Sequence, residues 1–353
     1  MVFLTKDTPE FLFRALEYYD KHLGSHGINL VIADASKNSN WSIITKEISK
    51  RKYSIPIHLL HVSALSSLST ETHRLAAAIP LISTPYVLLA SDDDFYYFDW
   101  LKPAVDLLDS DNSFGIVYGH TIKFELERYM PFGKMKRAFI DNNRTPPAKW
   151  LEGSTPLARL SELGSTNSNW ATVGWYSLQR TEILKIIVDH AEQNDLNGFN
   201  FEKLLIFCQA ALSKTRMIDE IYLARQINGE STRPPYSYKA EKDGLEKLMK
   251  TATAILSKHC NLDLNSATEI VEKVFLGEIR ELKRADSKTY LRAVADHLPF
   301  LRHAREVIRN LIMQNQSGSP LLATDERFPI APKIYSSHAK VLAINDAVAG
   351  RSY

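Results

Sequence analysis

The chain is poor in several things, and each shortage removes a class of explanation. Its 353 residues include only two cysteines, Cys208 and Cys260, set in helix-like segments without metal-ligand spacing. They frame neither a disulfide-stapled scaffold nor a zinc site. Free thiols in a reducing compartment are expected, with a single disulfide as the other reading. Charge of one sign is equally scarce. A formal net charge of +2 supplies no field to hold a phosphate backbone, which argues against a nucleic-acid binder. No apolar run is long enough to span a bilayer, and no leader-like segment opens the sequence, since Met1 runs almost directly into a strand and a polar turn. The expected location is the cytoplasm, at most peripheral to the inner face of the membrane. Internal repeats and low-complexity tracts are missing too.

What the sequence does have is Tyr86-Val-Leu-Leu-Ala-Ser-Asp-Asp-Asp-Phe95. Its first five residues read as a strand buried on both faces of a parallel sheet. The apolar run stops at Ser91, and Asp92, Asp93 and Asp94 follow. Three adjacent carboxylates at the mouth of a buried strand repel one another, and partial desolvation adds to the cost of ionising them. Capping the next helix accounts for one of them, not three. An oxygen-only donor set suits a hard divalent cation, Mg²⁺ or Mn²⁺.

The elements upstream give that run its context. Residues 2–4 read as a first strand ending at Thr5. Thr8-Pro9-Glu10 then starts a helix with a hydroxyl cap, proline at the first helical position and an acid in the first turn. Leu12, Ala15, Leu16, Tyr19 and Leu23 continue it at helical spacing until Gly24. A second strand (28–33) ends in Asp34-Ala-Ser36; a helix from about 40, a third strand (55–62) and a helix from about 69 to 82 lead to the acidic run. This alternation is the pattern of an α/β fold with a mostly parallel sheet covered on both faces. Ligands of such sheets sit beyond the carboxyl ends of the strands. Thr5, Asp34, Ser36 and the three acids all fall there.

Taken together, Phe3-Leu-Thr-Lys-Asp-Thr-Pro-Glu-Phe-Leu12, Ile32-Ala-Asp-Ala-Ser36, Thr84-Pro-Tyr through Ser-Asp-Asp-Asp-Phe95, and Asp219-Glu-Ile-Tyr222 resemble a GT-A glycosyltransferase. The match is to the family-2-like bacterial group that carries S-D-D-D-F as its DXD motif, and it covers roughly the first 230 residues. The resemblance implies a domain at 1–235 that binds a nucleotide-sugar, first among them a UDP-sugar, and passes the sugar to a saccharide or lipid-linked acceptor. Inversion is the expected stereochemistry, and surface polysaccharide or glycolipid synthesis the expected setting. It places Thr5, Asp34, Ser36, Arg74, Asp92 and Asp93 on the donor, Asp34 at the base. The metal, Mn²⁺ or Mg²⁺, falls to Asp94 with Asp92. Ala35 stands where the commoner pattern has an acid or glycine.

Further on, a helix is expected from Trp100 and a strand over 114–124, interrupted at Gly119-His120. His120 is a candidate for acceptor or phosphate contact. Residues 125–168 lose periodicity and collect basic, aromatic and proline residues, as an acceptor-shaping segment or a solvated loop does. Trp170 reads as core. Trp175, after Gly174, is a candidate acceptor platform. Asp219-Glu220 is expected at the start of a helix, where one acid, Asp219 first, would be the general base. Ser231-Thr-Arg-Pro-Pro235 marks a boundary. Beyond it, residues 236–353 are expected to form a helical region, with helices near 245–258, 266–283 and 287–314 whose apolar stripes need a partner surface. Lys333, Tyr335 and His338 lie in a tail that would serve as a lid or as plain surface. Two rivals stand beside this reading. A nucleotidyltransferase would show a Gly- and Arg-rich loop after strand one, and Thr5-Lys-Asp-Thr-Pro9 has no glycine. A non-catalytic binding module would have little use for Asp94 and Asp219.

Overall fold

The computed structural model describes residues 1–23, 27–62, 71–128, 130–140, 150–165, 171–196, 198–227, 238–277, 279–280 and 334–349. The first half alternates as the apolar pattern dictates: β1 (Val2–Thr5), α1 (Pro9–Leu23), β2 (Leu30–Asp34), α2 (Asn38–Lys50), β3 (Ile57–His61) and α3 (Glu71–Ala78), closed by a 3-10 turn at Ile79–Leu81. β4 (Tyr86–Val87) and β5 (Leu89–Ser91) follow. Strands in the order β3-β2-β1-β5 form a parallel sheet. Every residue of β1 and β2 is buried, as expected of a sheet covered on both faces.

The apolar run at 86–90 does not make one strand. Its first half, β4, pairs antiparallel with β10 (Leu178–Arg180), and its second half, β5, pairs parallel with β1. The chain changes sheets at Leu88, so both halves are buried for different reasons. The second sheet is mixed, in the order β4-β10-β7-β11-β6. β6 is Phe95–Tyr96, β7 Phe114–Leu126 and β11 Lys214–Gln226. β8 (Met135–Ile140) pairs with β7, and β9 (Trp150–Leu151) with β11. Thus part of the 125–168 stretch is regular structure. Pairing across β7 holds β8 despite its weak periodicity.

Between them run α4 (Leu101–Ser110), α5 (Pro156–Ser165), α6 (Ala171–Tyr176), α7 (Thr181–Gln193) and α8 (Gly198–Leu212). α9 (Tyr238–His259) and α10 (Leu264–Val274) pack on α8, α5 and α7, which answers their apolar stripes. A final helix, α11 (Ile334–Val348), lies against α1 and β8. Cys208 and Cys260 are free thiols. The expected boundary at 231–235, the helix at 287–314, Trp170 and Lys333 lie outside the described residues, as do the side chains of Tyr335 and His338.

One local expectation is overturned. Asp219 and Glu220 do not open a helix; they sit inside β11, where its parallel register with β7 slips between Met217 and Ile221. Two extra residues bulge there, because Met217 faces Tyr118 while Ile221 faces His120. Gly119 makes room for the bulge: a Cβ at that position would lie 2.3 Å from the Glu220 carbonyl oxygen. Gly119→Ala should therefore destabilise the protein by about 1–3 kcal/mol, read as a lower denaturant midpoint at unchanged slope.

Candidate active site

The parallel register brings three strand ends to one edge. Thr5 pairs with Asp34, and Leu4 with Ser91, so the residues that follow β1, β2 and β5 converge. The Thr5 hydroxyl donates to Asp92 Oδ2 at 2.7 Å, and Thr8, at the mouth of α1, donates to the same oxygen. Arg74, 6% exposed, reaches across from α3. Its Nη1 donates to the Thr5 carbonyl at 3.0 Å, and its Nη2 lies 3.5 Å from Glu71. Burial pulls the guanidinium pKa down, while the carboxyls of Glu71, Asp92 and Asp34 push it back up. Arg74 is a cation fixed between the first two strand ends.

Asp34, which the resemblance sets at the nucleotide base, ends β2 beside Thr5. It is fully buried, and both its oxygens accept from Ser36: Oδ1 from the hydroxyl at 2.6 Å, Oδ2 from the backbone N–H at 3.2 Å. Burial raises its pKa and the Ser36 bonds lower it. Ser36 Oγ also accepts from the Asp7 backbone N–H at 2.7 Å, and Asp7 holds a positive φ of 58°. Asp34 therefore braces the turn between β1 and β2. Beside it, Trp41 stacks on His61 with centroids 4.3 Å apart.

The acidic turn is held on every side. Asp94, 2% exposed, accepts from the Gln226 backbone N–H at 2.9 Å through Oδ1 and from the Tyr176 hydroxyl through Oδ2. Arg225 Nε stands 3.9 Å from the same Oδ2. Arg14, 1% exposed on α1, donates to the Asp93 carbonyl at 3.0 Å. All three carboxyl pKa values are raised, chiefly by desolvation. For Asp93 the charges of Asp94 and Asp92 add to it, and Arg14 and Arg225 only partly offset them. Around Arg225, desolvation is outweighed by Tyr176, Asp94, Asp93 and Glu202, so the guanidinium stays above its usual range. Glu202, half-buried near the start of α8, is thus an acid from outside the turn whose charge acts on Arg225.

Four of the sequence-derived positions lie elsewhere. β11 runs from the Asp219-Glu220 bulge to Gln226; by its register with β7 the bulge is level with Gly119 and Gln226 with Phe124, which puts Asp219 roughly 16 Å along the sheet from the Gln226 N–H that Asp94 accepts from. Asp219 is an exposed partner of His120, Oδ1 to Nε2 2.9 Å. Neither it nor His120 joins the acidic turn. The Glu220 charge falls instead on Lys340 of α11. Trp175 is 7% exposed and packs edge-on against Phe201, at 6.1 Å between centroids, so it is core rather than a platform. Gly174 before it allows α6 onto α8, since a Cβ there would meet Ile206 at 2.3 Å.

Sequence reasoning missed Tyr176, Arg225, Gln226, Arg14 and Glu202. Arg14 had a readable signal, because it falls on the apolar face of α1 with Phe11 and Tyr18, where a charge is costly without partners. Tyr176 was hidden beside the bulkier tryptophan. Arg225 and Gln226 become meaningful only once the β6–β11 pairing carries them to the turn.

The pKa directions give a test. Asp93 binds its proton more tightly in the folded than in the unfolded chain, so its charge destabilises the fold once pH rises above the unfolded value of about 4. Asp93→Asn should stabilise the metal-free protein at pH 7 by roughly 1–2 kcal/mol, discounted for its partial exposure. The gain should fade toward pH 4, where Asp93 is protonated in both states. Paired thermal melts across that range check it; a gain independent of pH would refute the charge origin.

The turn also fits a divalent cation. Among the described residues no group of three His, Cys, Asp or Glu side chains forms a closed cage. Sites for Mg²⁺-like ions that share phosphate oxygens commonly use only one or two carboxylates. Asp92 and Asp94 are oriented by hydroxyls and a backbone N–H, as ligating carboxylates usually are. At Asp93 the charges of Asp94 and Asp92 add to the desolvation, and Arg14 and Arg225 offset them only in part.

No protein-family model matches the chain, and no curated protein matches it. Among solved structures it is similar to TarS of S. aureus, at 14% identity and a TM-score of 0.47 over 78% of this chain and 42% of that one. TarS 1–349 in complex with UDP is similar at 14% identity and a TM-score of 0.46, over 78% and 70%. The complex of the same fragment with UDP-GlcNAc gives 16% and 0.47, over 78% and 71%. The chain spans less than half the length of the longer TarS structure. A likeness this distant fixes no function.

Proposed function

We propose that the chain is a metal-dependent glycosyltransferase of the GT-A type, moving a sugar from a nucleotide donor, a UDP-sugar first, to a saccharide or lipid-linked acceptor with inversion. The observation that carries this is the convergence of Thr5, Arg74 and the Asp92-Asp93-Asp94 turn at one edge of the parallel sheet. That edge is where such sheets take nucleotides. Asp92 and Asp94 would hold Mn²⁺ or Mg²⁺, which when bound offsets charge on the departing diphosphate. Arg74 and Arg225 add fixed positive charge on either side of the turn. Tyr176 and Gln226 keep the Asp94 carboxylate aimed.

An inverting transfer needs a carboxylate to take the acceptor proton opposite the leaving group. Glu202 suits that role better than Asp219, because its neighbour Phe201 packs on Trp175, beside the Tyr176 that bonds Asp94, whereas Asp219 sits back at the β11 bulge. Titration calorimetry with UDP, GDP, ADP and CDP, each with and without Mn²⁺, tests the reading. One diphosphate should bind with Mn²⁺ and weaken at least tenfold without it. No binding of any of the four would overturn it.

A further inference from the structure

Arg14 and the C-terminal helix α11 meet at the acidic turn by separate routes, and neither belongs to the binding edge itself. Arg14 is fully enclosed, its guanidinium 5.0 Å from the Phe11 ring centre and 4.8 Å from that of Phe95. Its donors serve three segments at once: the Asp93 carbonyl at 3.0 Å, the Gln226 side-chain oxygen at 3.0 Å and the Pro131 carbonyl at 2.6 Å. The first two flank the Asp94–Gln226 bond. The third lies in the connection between β7 and β8, which meets α11 two residues later, where the Gly133 N–H donates to the Val348 carbonyl at 2.7 Å.

The other part of α11 grips the same two strands further along. Lys340, 9% exposed, donates Nζ to the Ile221 carbonyl at 3.0 Å, and its own carbonyl accepts from the Tyr97 hydroxyl at 3.0 Å. Tyr97 follows β6, which leaves the acidic turn, and Ile221 lies in β11, which ends at Gln226. Desolvation lowers the Lys340 pKa, while Asp99 and Glu220 raise it. A buried ammonium is expensive unless such acceptors are in place. α11 is therefore fastened to both strands behind the turn and to the loop that fixes Arg14.

We propose that Arg14 is a positioning residue for the Asp92–Asp94 turn and that α11 controls it through Gly133 and Lys340, so that docking of this helix and ligand binding at the turn are coupled. The coupling is reciprocal: whatever the turn binds must also tighten α11. Only the identity of that ligand rests on the function proposed above.

Hydrogen exchange on the full chain tests it, first without any ligand. Gly133→Pro removes the N–H, and Gly133→Ala, whose Cβ would meet nothing within 4 Å, keeps it. Lys340→Met releases the other attachment. Gly133→Pro and Lys340→Met should each speed exchange of the amides at 92–96 by about tenfold or more, with Gly133→Ala close to wild type. The double variant of Arg14→Met with Gly133→Pro should show less than the summed effect, since both act through Pro131. Fast exchange in α11 with 92–96 unchanged would overturn the proposal. In the second arm, UDP with Mn²⁺ should slow exchange in wild-type α11. If UDP fails to bind the wild type, the preference for a UDP-sugar fails and whichever of GDP, ADP or CDP binds takes its place in this arm, while the ligand-free arm still decides the coupling. If UDP binds and α11 exchange does not change, the coupling fails alone.

Discussion

Glu202→Gln should leave nucleotide binding in place and slow sugar transfer by roughly 10²–10⁴-fold, the usual contribution of a positioned general base. The amide keeps the size and most of the packing of the half-buried side chain near the start of α8, so a folding defect is not expected. Losing one carboxylate near Arg225 leaves that arginine with Asp94 and Asp93, which is why the donor site should persist. Asp219→Asn is the matched control. It removes one partner of an exposed hydrogen bond with His120, a contact worth at most about 1 kcal/mol of stability, at the bulge roughly 16 Å along the sheet from Gln226. Its transfer rate should stay within about threefold of wild type, measured as nucleoside diphosphate released with acceptor present. A hundredfold loss in Asp219→Asn with Glu202→Gln unaffected would return the role to the bulge. Full activity in both would point away from a side-chain base on either element.

The contrast between these two acids shows what the sequence could and could not express. The first ninety residues were legible because β1, β2, β3 and β5 obey local rules: short apolar runs ended by polar residues, separated by helices with readable starts. Thr5, Asp34 and the acidic turn came with them, since a parallel sheet places all strand ends on one edge. Past residue 95 the site is assembled from pairings between distant segments. Asp94 is bonded to Gln226 and Tyr176, and Arg14 to Pro131. No local pattern announces those contacts. The Asp219-Glu220 pair shows the hazard. Apolar residues around it at 218, 221 and 222 mimic a helical face, and the bulge between Met217 and Ile221 breaks the period-two signal that would have identified a strand. Asp34 teaches a smaller lesson. The motif located the acid correctly, but its burial and its bonds to Ser36 give it a bracing job that composition cannot reveal.

Asp94→Asn should abolish most metal-dependent nucleotide binding without unfolding the chain. The amide oxygen can go on accepting from the Gln226 N–H, and the new NH₂ can meet a Tyr176 hydroxyl that turns to accept rather than donate. Two things cannot be replaced. The cation loses an anionic ligand, and Arg225 loses the charge that stands 3.9 Å from its Nε. Loss of the anionic ligand should lower metal-dependent affinity by roughly 10²–10³-fold, about 3–4 kcal/mol at a tenfold per 1.4 kcal/mol. Tyr176→Phe separates the metal's share from the scaffold's. It deletes only the hydroxyl that orients Asp94, so its loss should be nearer the 10–100-fold typical of groups that support a ligating carboxylate. Excess Mn²⁺ should recover much of the Tyr176→Phe defect and little of the Asp94→Asn one, because the first misaims a ligand and the second removes its charge. If Asp94→Asn binds UDP with Mn²⁺ as tightly as wild type, the acidic turn is held together by Arg14, Arg225 and Tyr176 for structural reasons and the metal belongs elsewhere.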